Sequence, residues 1–322
     1  MLEKRPVTRV PTSINTTCPI CRSHEQEILL LGNIRNLSIP RRLRLIPNEP
    51  YSSTQKYLES SMISCKACEI VYLWPQPTPE ALESHYQQAS ILHGTSTEVQ
   101  YLSRVYSQNN KETAESLLLA IEKYYGKSKA NLVGGYVADI GCNAADFLFG
   151  FKELGFEKLL GVEPDQKLQT WNQHYVGCDT HIGMLSTVED RYRGTCSILA
   201  LRDSLEHHLD PLSSMLKCFQ LLAPGGVLYL QVPNIKCKIA VHNLEAFEWF
   251  EPDHLYYFSS KSISELLTKA GFNKIVTETP ATDFDRNDHA LISAEPYFSE
   301  AMRASIEAEK AGRILRCFAI KI

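Results

Sequence analysis

The sequence predicts an α/β protein with a doubly wound, largely parallel sheet and a small N-terminal module built around cysteines. Two observations carry this prediction: strand and helix patterns alternate from about residue 135 onward, and two C-x-x-C pairs occur within the first ninety residues. Such alternation is typical of parallel sheets covered by helices on both faces. We expect the small module to span residues 1–90 and the larger domain residues 91–322.

The composition is that of an ordinary globular chain and argues against two classes of partner. Apolar residues make up 44% and charged residues 22%, and the formal net charge is −4. Nucleic-acid-binding proteins usually carry a basic face, so this charge is no reason to expect that partner. No apolar run reaches the roughly 18 residues of a membrane span, and the first residues contain no signal-peptide core. We therefore expect a cytoplasmic protein with no membrane partner.

Four of the ten cysteines form two C-x-x-C pairs: Cys18 with Cys21, and Cys65 with Cys68. Each pair presents two thiolates to one side of a tight turn, so two pairs supply a tetrahedral set for Zn²⁺. Because no ligand position stays open, we expect the zinc to be structural. Four unrelated buried cysteines are one alternative. A redox pair is another, but neither pair opens a helix after a buried strand.

An arginine- and proline-rich segment, residues 35–52, separates the two pairs. It predicts either a solvated loop or a set of guanidinium groups for a phosphorylated substrate. After the second pair, Thr78 and Pro79 predict the cap and first residue of a helix with Leu82 and Tyr86 on one face.

The larger domain begins with an amphipathic pattern within residues 109–127, ended by Gly126. The alternation then continues with the strand YVADIG, the helix ADFLFGFKELG, the strand KLLGVEPD, the helix QKLQTWNQHY, the strands CDTHIG and CSILALRDS, the helix PLSSMLKCFQLLAPGG and the strand VLYLQVPN. The final segment, GRILRCFAIKI, predicts an edge strand that closes the sheet. Ligands of such sheets bind at the carboxyl ends of the strands.

A turn with a single glycine follows the first of these strands, in VADIGCNAADFLFGF (residues 137–151). A dinucleotide-binding turn needs a second glycine so that its backbone can approach a pyrophosphate, but Asn143 stands there. Glu163 ends the next strand, 22 residues after Gly141, where a carboxylate can accept two hydrogen bonds from a ribose diol. These features favour a nucleoside ligand without a pyrophosphate, and S-adenosylmethionine (AdoMet) fits.

The larger domain resembles the class I AdoMet-dependent methyltransferases over roughly residues 135–280. The segments that carry the resemblance are VADIGCNAADFL, LLGVEPD, LALRDSLEHHLDP, LLAPGGVLYLQVPN and DHLYYFS…LLTKAGF. The segment with the cysteine pairs also resembles the zinc module of a subgroup that includes C-methyltransferases of nucleotide-linked deoxysugars. The resemblance implies a Rossmann-like methyltransferase sheet behind a zinc-ribbon-like module. It also implies a small-molecule acceptor, such as a sugar or a sugar nucleotide.

The same resemblance implies roles for individual residues. Gly141 lets the loop pass close to the methionine part of AdoMet, while Asp139 and Asn143 orient its polar tail. Glu163 holds the ribose hydroxyls, with a plain surface carboxylate as the alternative. The other cofactor-side residues are Gly183 and Met184, beside the adenine, and Asp203 and Ser204, near the sulfonium and the acceptor. Core packing is the alternative for Met184.

We expect His254 to be the general base, because an unperturbed imidazole pKa of about 6.5 suits proton removal near neutrality. A structural histidine that joins the loop to the sheet is the alternative. The stretch EPDH matches a Tyr-x-x-His pair of the sugar enzymes, except that Glu251 replaces the tyrosine, which counts against sugar C-methylation. Glu251, Asp253 and His207 are the next candidates for the base. An apolar lid or core packing is expected of the neighbouring rings, Trp249, Phe250, Tyr256, Tyr257 and Phe258.

Three other functions stay open at this point. An NAD(P)-linked oxidoreductase would share the strand and Glu163, but the turn lacks its second glycine. A nucleic-acid-associated zinc protein would account for the cysteine pairs. A non-catalytic partner module with a methyltransferase-like fold is the third, although Gly141, Glu163 and His254 together favour catalysis.

Overall fold

The structure is a computed structural model and describes residues 17–30, 61–237, 240–241, 253–280, 305 and 308–322. The arginine-rich segment lies outside these ranges, as do Trp249, Phe250 and Glu251. Within the described residues, no helix is long and apolar enough to cross a membrane.

The described elements form two sheets and the helices around them. In chain order the strands are β1 (Gln26–Leu30), β2 (Ser61–Cys65), β3 (Val71–Trp74), β4 (Tyr136–Ile140), β5 (Leu159–Glu163), β6 (Asp179–Ile182), β7 (Cys196–Arg202), β8 (Leu222–Pro233), β9 (Tyr256–Tyr257), β10 (Asn273–Glu278) and β11 (Ile314–Ile320). The α-helices are α1 (Pro79–Tyr86), α2 (Ala89–Leu92), α3 (Glu98–Val105), α4 (Asn109–Tyr125), α5 (Lys129–Leu132), α6 (Asp146–Glu153), α7 (Gln166–Trp171), α8 (Pro211–Leu221) and α9 (Ser260–Lys269). The α7 helix continues as a π-helical turn, Asn172–Val176.

The larger sheet has seven strands in the order β10-β11-β8-β7-β4-β5-β6. Its five strands from β4 to β8 run parallel, and β10 and β11 pair antiparallel at one end. Consecutive residues of β4 pack on opposite faces: Val137 lies in one core with residues of α4 and α6, and Ala138 lies in another with residues of α8 and α9. The α/β fold class predicted from the sequence is confirmed.

The predicted edge position of the C-terminal strand is wrong. β11 lies between β8 and β10, with Cys317 opposite Leu230 and Phe318 opposite Val276. Its side chains are buried on both faces of the sheet: Leu315 and Ala319 lie in one apolar core and Phe318 lies in the other. A strand this apolar over consecutive positions is typical of a sheet interior. β10, which is more exposed, forms the edge.

The smaller sheet has the order β1-β2-β3-β9, and its pairs are antiparallel. We call β1, β2, β3 and the four cysteines of the two pairs the cysteine module. The fourth strand, β9, comes from far beyond the predicted boundary near residue 90, and one apolar core contains Ile63 and Tyr72 of the module together with Phe258 and Leu230. The boundary itself stays a prediction.

The helix α1 begins as the sequence predicts. Thr78 Oγ1 accepts a hydrogen bond of 3.3 Å from the Ala81 amide, Pro79 is its first residue, and Leu82 and Tyr86 are buried. Residues 87–97 then cross to the larger sheet, so that the chain leaving the cysteine module passes beside the carboxyl ends of β4 and β5.

Candidate active site and cysteine cluster

A cavity of about 710 Å³ opens at the carboxyl ends of β4, β5 and β7. β4 lies between β5 and β7, where the strand order reverses, which is where doubly wound sheets bind their ligands. The volume suits a small molecule with a nucleoside part. The cavity wall contains all nine residues that the sequence assigns to AdoMet or to the base: Asp139, Gly141, Asn143, Glu163, Gly183, Met184, Asp203, Ser204 and His254.

The turn after β4 keeps a glycine-type conformation with one glycine. Gly141 has a φ of 75°, and a Cβ there would lie 2.7 Å from Ser204 Oγ. Asn143 and Ala145 also have positive φ angles, of 45° and 53°. Asparagine tolerates this left-handed region better than most residues, whereas alanine is strained in it. The backbone thus turns sharply beside the cavity although two glycines are replaced.

Glu163 ends β5 and is 3% exposed. Its Oε2 accepts a hydrogen bond of 3.0 Å from the Asn143 amide, and its Oε1 accepts one of 3.2 Å from the Asp165 amide. Burial raises the pKa of Glu163 to about 7, although these two backbone donors act to lower it. Each carboxylate oxygen has a second lone pair, so Glu163 can still accept two hydrogen bonds from a diol.

Asp139, near the end of β4, carries an unsatisfied oxygen in the cavity wall. The residue is 4% exposed, and its Oδ1 has no hydrogen-bond partner among the residues that the structure describes. Burial raises the pKa of this carboxyl to about 7, even though Arg202 acts to lower it. Buried polar atoms are rarely left without a partner, so this oxygen is placed to bind a donor on a ligand. An ammonium group fits it.

Two arginines in the cavity wall were missed by the sequence reasoning. Arg104 Nε, on α3, lies 3.2 Å from Asp146 Oδ1, and Arg202 Nη1, at the end of β7, lies 3.9 Å from Asp146 Oδ2. The two guanidinium groups share the Asp146 carboxylate, so N–H donors remain on both arginines that can bind a second anion. Arg104 precedes the first strand of the domain by some thirty residues, and no local motif marks it.

The loops after β6 and β7 supply the other predicted cofactor residues. The Gly183 amide donates to the Glu163 carbonyl over 3.2 Å, and Met184 follows it in the cavity wall. Asp203 has a φ of 48° and is held by its amide's hydrogen bond of 2.8 Å to the Gln231 carbonyl. These contacts order the two loops around the cavity.

Three histidines, His207, His208 and His254, line a part of the cavity wall that we call its histidine end. His254 is 4% exposed, and its ring centroid lies 4.7 Å from that of His207. His207 Nδ1 lies 2.9 Å from the Asp253 carbonyl oxygen, which can only accept, so Nδ1 donates this hydrogen bond. Burial, with a smaller effect of His207, lowers the pKa of His208 to about 4 and keeps that ring neutral near pH 7. Glu206 lies beneath them, with a carboxylate oxygen within 4.8 Å of ring nitrogens of His207 and His254.

The four paired cysteines form a second cluster, away from the cavity. The Sγ atoms of Cys18, Cys21, Cys65 and Cys68 all lie within 4.8 Å of one another. Two of the separations are 3.6 Å (Cys18 to Cys68) and 3.4 Å (Cys21 to Cys65). Tetrahedral zinc with Zn–S bonds of about 2.3 Å requires sulfurs roughly 3.8 Å apart. The four sulfurs therefore fit a closed Zn²⁺ site.

A sequence model of a family described as a methyltransferase domain matches residues 108–277, more than half of the chain. The chain belongs to this methyltransferase family. The match contains the turn with Gly141, the strand that ends at Glu163, and His254. No curated protein sequence matches the chain significantly.

Solved methyltransferases share the fold at low identity. Phosphoethanolamine N-methyltransferase 2 of Haemonchus contortus, with phosphomonomethylethanolamine and S-adenosylhomocysteine, is 14% identical with a TM-score of 0.52, over 76% of this chain and 62% of that one. Its complex with AdoMet gives the same identity and coverage and a TM-score of 0.50. A methyltransferase of Thermotoga maritima, described as a possible histamine N-methyltransferase, is 15% identical with a TM-score of 0.45, over 74% and 95%. The family model therefore identifies a methyltransferase, and the Haemonchus structures show the same fold.

Proposed function

We propose that the protein transfers the methyl group of AdoMet to a small-molecule acceptor, with sugars and sugar nucleotides as the first classes to test. The observation that carries the proposal is the cavity at the ends of β4 and β5, where Asp139 and Glu163 present buried acceptors at adjacent strands. These two carboxyls match the ammonium and the ribose diol of AdoMet.

The cofactor half of the cavity supports a definite orientation of AdoMet. Glu163 accepts hydrogen bonds from the ribose hydroxyls, and the unsatisfied Oδ1 of Asp139 accepts one from the ammonium. Arg104 and Arg202, which share Asp146, are placed to hold the carboxylate of the same amino-acid tail.

The histidine end of the cavity supports an acceptor site. Bound AdoMet supplies an electrophilic methyl group on a sulfonium. The acceptor then needs to be oriented, kept dry and, if it is a hydroxyl, relieved of its proton. His254 is proposed to take that proton as the acceptor oxygen bonds to the methyl carbon and the bond from sulfur to that carbon breaks. Tyr257, whose ring centroid lies 6.0 Å from that of His254, is buried beside it, whereas Tyr256 and Phe258 belong to the apolar core.

The cysteine cluster supports a structural zinc ion. Its four sulfurs have the spacing of a tetrahedral site, and no further His, Asp or Glu belongs to the cluster among the described residues. A closed thiolate set leaves no position for substrate, so the ion is proposed to hold the module together and to take no part in methyl transfer.

The test of function is methyl transfer from isotope-labelled AdoMet to panels of sugars, sugar nucleotides, amines and phenols, with products identified by mass spectrometry. We expect label in one class of small molecule, and none with a Gly141→Ala variant as the matched control. Tight AdoMet binding with no labelled product in any panel, or label found only in nucleic acid, would contradict the proposal.

A further inference from the structure

The smaller sheet is completed by a strand from the histidine end of the cavity. β3 pairs antiparallel with β9, and the Leu73 amide donates a hydrogen bond of 3.0 Å to the Leu255 carbonyl. The other edge of β3 pairs with β2, which ends at Cys65. His254 directly precedes Leu255, so backbone contacts run without a break from the cysteine cluster to His254.

The helix α1 makes a second connection, through Asp253. His85 Nε2 lies 3.7 Å from Asp253 Oδ2, and the Tyr86 hydroxyl donates to the same oxygen over 3.3 Å. Burial raises the pKa of Asp253, but the imidazoles of His207, His85 and His254 outweigh it and hold that pKa well below its usual range. The carboxylate is therefore ionised and attracts the side chains of α1 on one side and His207 on the other.

The AdoMet half of the cavity is built mainly from other elements. The segment after α1 contacts it at two points, where the Ser90 amide donates to Asp165 Oδ2 over 2.9 Å and the Thr95 hydroxyl donates to Asn143 Oδ1 over 3.2 Å. Asp139 and Glu163 belong to β4 and β5, whose sheet neighbours are β7 and β6. Glu163 takes its backbone hydrogen bonds from Asn143 and Asp165, in loops of the same sheet. Neither the pairing of β3 with β9 nor the contacts of Asp253 includes these residues.

We infer that the cysteine module and α1 position the acceptor-side loop, residues 253–258, and that disrupting the cysteine cluster loosens this loop while the AdoMet half stays formed. The inference depends on the proposed function in one respect only: we call this loop the acceptor-side loop because His254 is proposed to act on the acceptor. Hydrogen exchange of the backbone and AdoMet binding test the inference without any measurement of turnover. The inference can therefore fail while the proposed function stands, and the proposed function can fail while the inference stands.

The first test uses Cys21→Ser in the full-length protein, with hydrogen exchange of residues 253–258 and 136–146 measured by mass spectrometry. We expect exchange in the loop to become at least about tenfold faster, equivalent to about 1.4 kcal/mol of local opening. Exchange in 136–146 and the calorimetric Kd for AdoMet should stay within about twofold, a change worth only about 0.4 kcal/mol. Lys66→Ala, which removes only the exposed pair with Glu27, is the control.

The second test leaves the cysteines intact and replaces the contacts of α1 with Asp253, as His85→Ala combined with Tyr86→Phe. We expect the loop to exchange faster with zinc content unchanged, whereas Glu83→Ala, an exposed change on the same helix, should have no effect. Unchanged loop exchange in both tests overturns the inference. So does a parallel loss of AdoMet binding in Cys21→Ser, because the module would then support the whole fold.

Discussion

Gly141 is a residue of the cavity wall at which a side chain is poorly tolerated. Its φ of 75° strains any side chain, and a Cβ would lie 2.7 Å from Ser204 Oγ. We expect Gly141→Ala to cost about 1–3 kcal/mol in the free energy of unfolding and to abolish measurable AdoMet binding, as seen by urea titration and calorimetry. Gly126→Ala is the matched control, because Gly126 has a φ of 65° with nothing within 4 Å of the added Cβ.

Replacing Glu163 tests the proposed contact with the ribose of AdoMet. Removing a charged acceptor that serves two hydroxyls should cost about 1.5–3 kcal/mol of binding free energy. Glu163→Ala should therefore weaken AdoMet binding by at least about tenfold in calorimetry, since about 1.4 kcal/mol corresponds to one decade. An unchanged affinity would remove Glu163 from the site.

The raised pKa of Glu163 also predicts a pH dependence of stability. Because burial raises the folded-state pKa from 4.5 to about 7, the folded protein holds a proton that the unfolded chain has released in this window. The free energy of unfolding without AdoMet should therefore fall as the pH rises from about 4.5 to about 7, by at most about 3 kcal/mol from this group. Urea titrations of Glu163→Gln should show a shallower fall. Asp139 and Asp203, whose pKa values burial also raises, add to the fall, whereas His208, whose pKa burial lowers to about 4, opposes it, so the difference between Glu163→Gln and the unaltered protein is the quantity to measure.

Replacing His254 tests its proposed role as the general base in methyl transfer. A general base contributes roughly 10²–10⁴-fold, so His254→Ala should lower turnover by about that factor with AdoMet affinity nearly intact. The measurement is methyl transfer per folded molecule, with the melting temperature recorded beside it. His174→Ala, an exposed histidine of the π-helical turn, is the control. Lost stability with normal turnover per folded molecule would make His254 structural.

At the scale of elements, local chemistry predicted most of what is observed. The cap at Thr78, the αL glycine Gly126 after α4, and the apolar strand that leads into Gly141 all depend on neighbouring residues, which a sequence displays directly. Arg104 and Arg202 could not be found this way. Each is held in the cavity wall by Asp146, more than forty residues distant, and the sequence carries no sign of such pairing. The position of β11 was predicted wrongly for a related reason, because its apolar side chains do not indicate which strands pair with its two edges.

The cysteine cluster yields the prediction at this scale. Elemental analysis should find about one zinc per chain, as four thiolates form one tetrahedral site. Removing it with a chelator should lower the melting temperature, because β1, β2 and the turns at the cysteines lose the ion that joins them. Metal-free protein that melts like the untreated protein would exclude a structural ion.

At the scale of the whole molecule, the two sheets share one apolar core, which lies on one face of the larger sheet. The apolar cluster that contains Cys18 and Cys65 also contains Leu228 of β8 and Leu266 of α9. The sequence predicted two parts with a boundary near residue 90, and that boundary stays a prediction. The sequence could not show that a two-residue strand returns across that boundary.

That returning strand bears on any attempt to produce the methyltransferase part alone. A fragment of residues 91–322 would lack β3, leaving the backbone groups of β9 and the buried rings of Tyr256 and Tyr257 facing water. Uncovered strand edges of this kind recruit strands from other molecules. We therefore expect the fragment to self-associate in light scattering at concentrations where the full chain stays dispersed. Protein prepared for crystallisation or screening should accordingly include the chain from before Cys18.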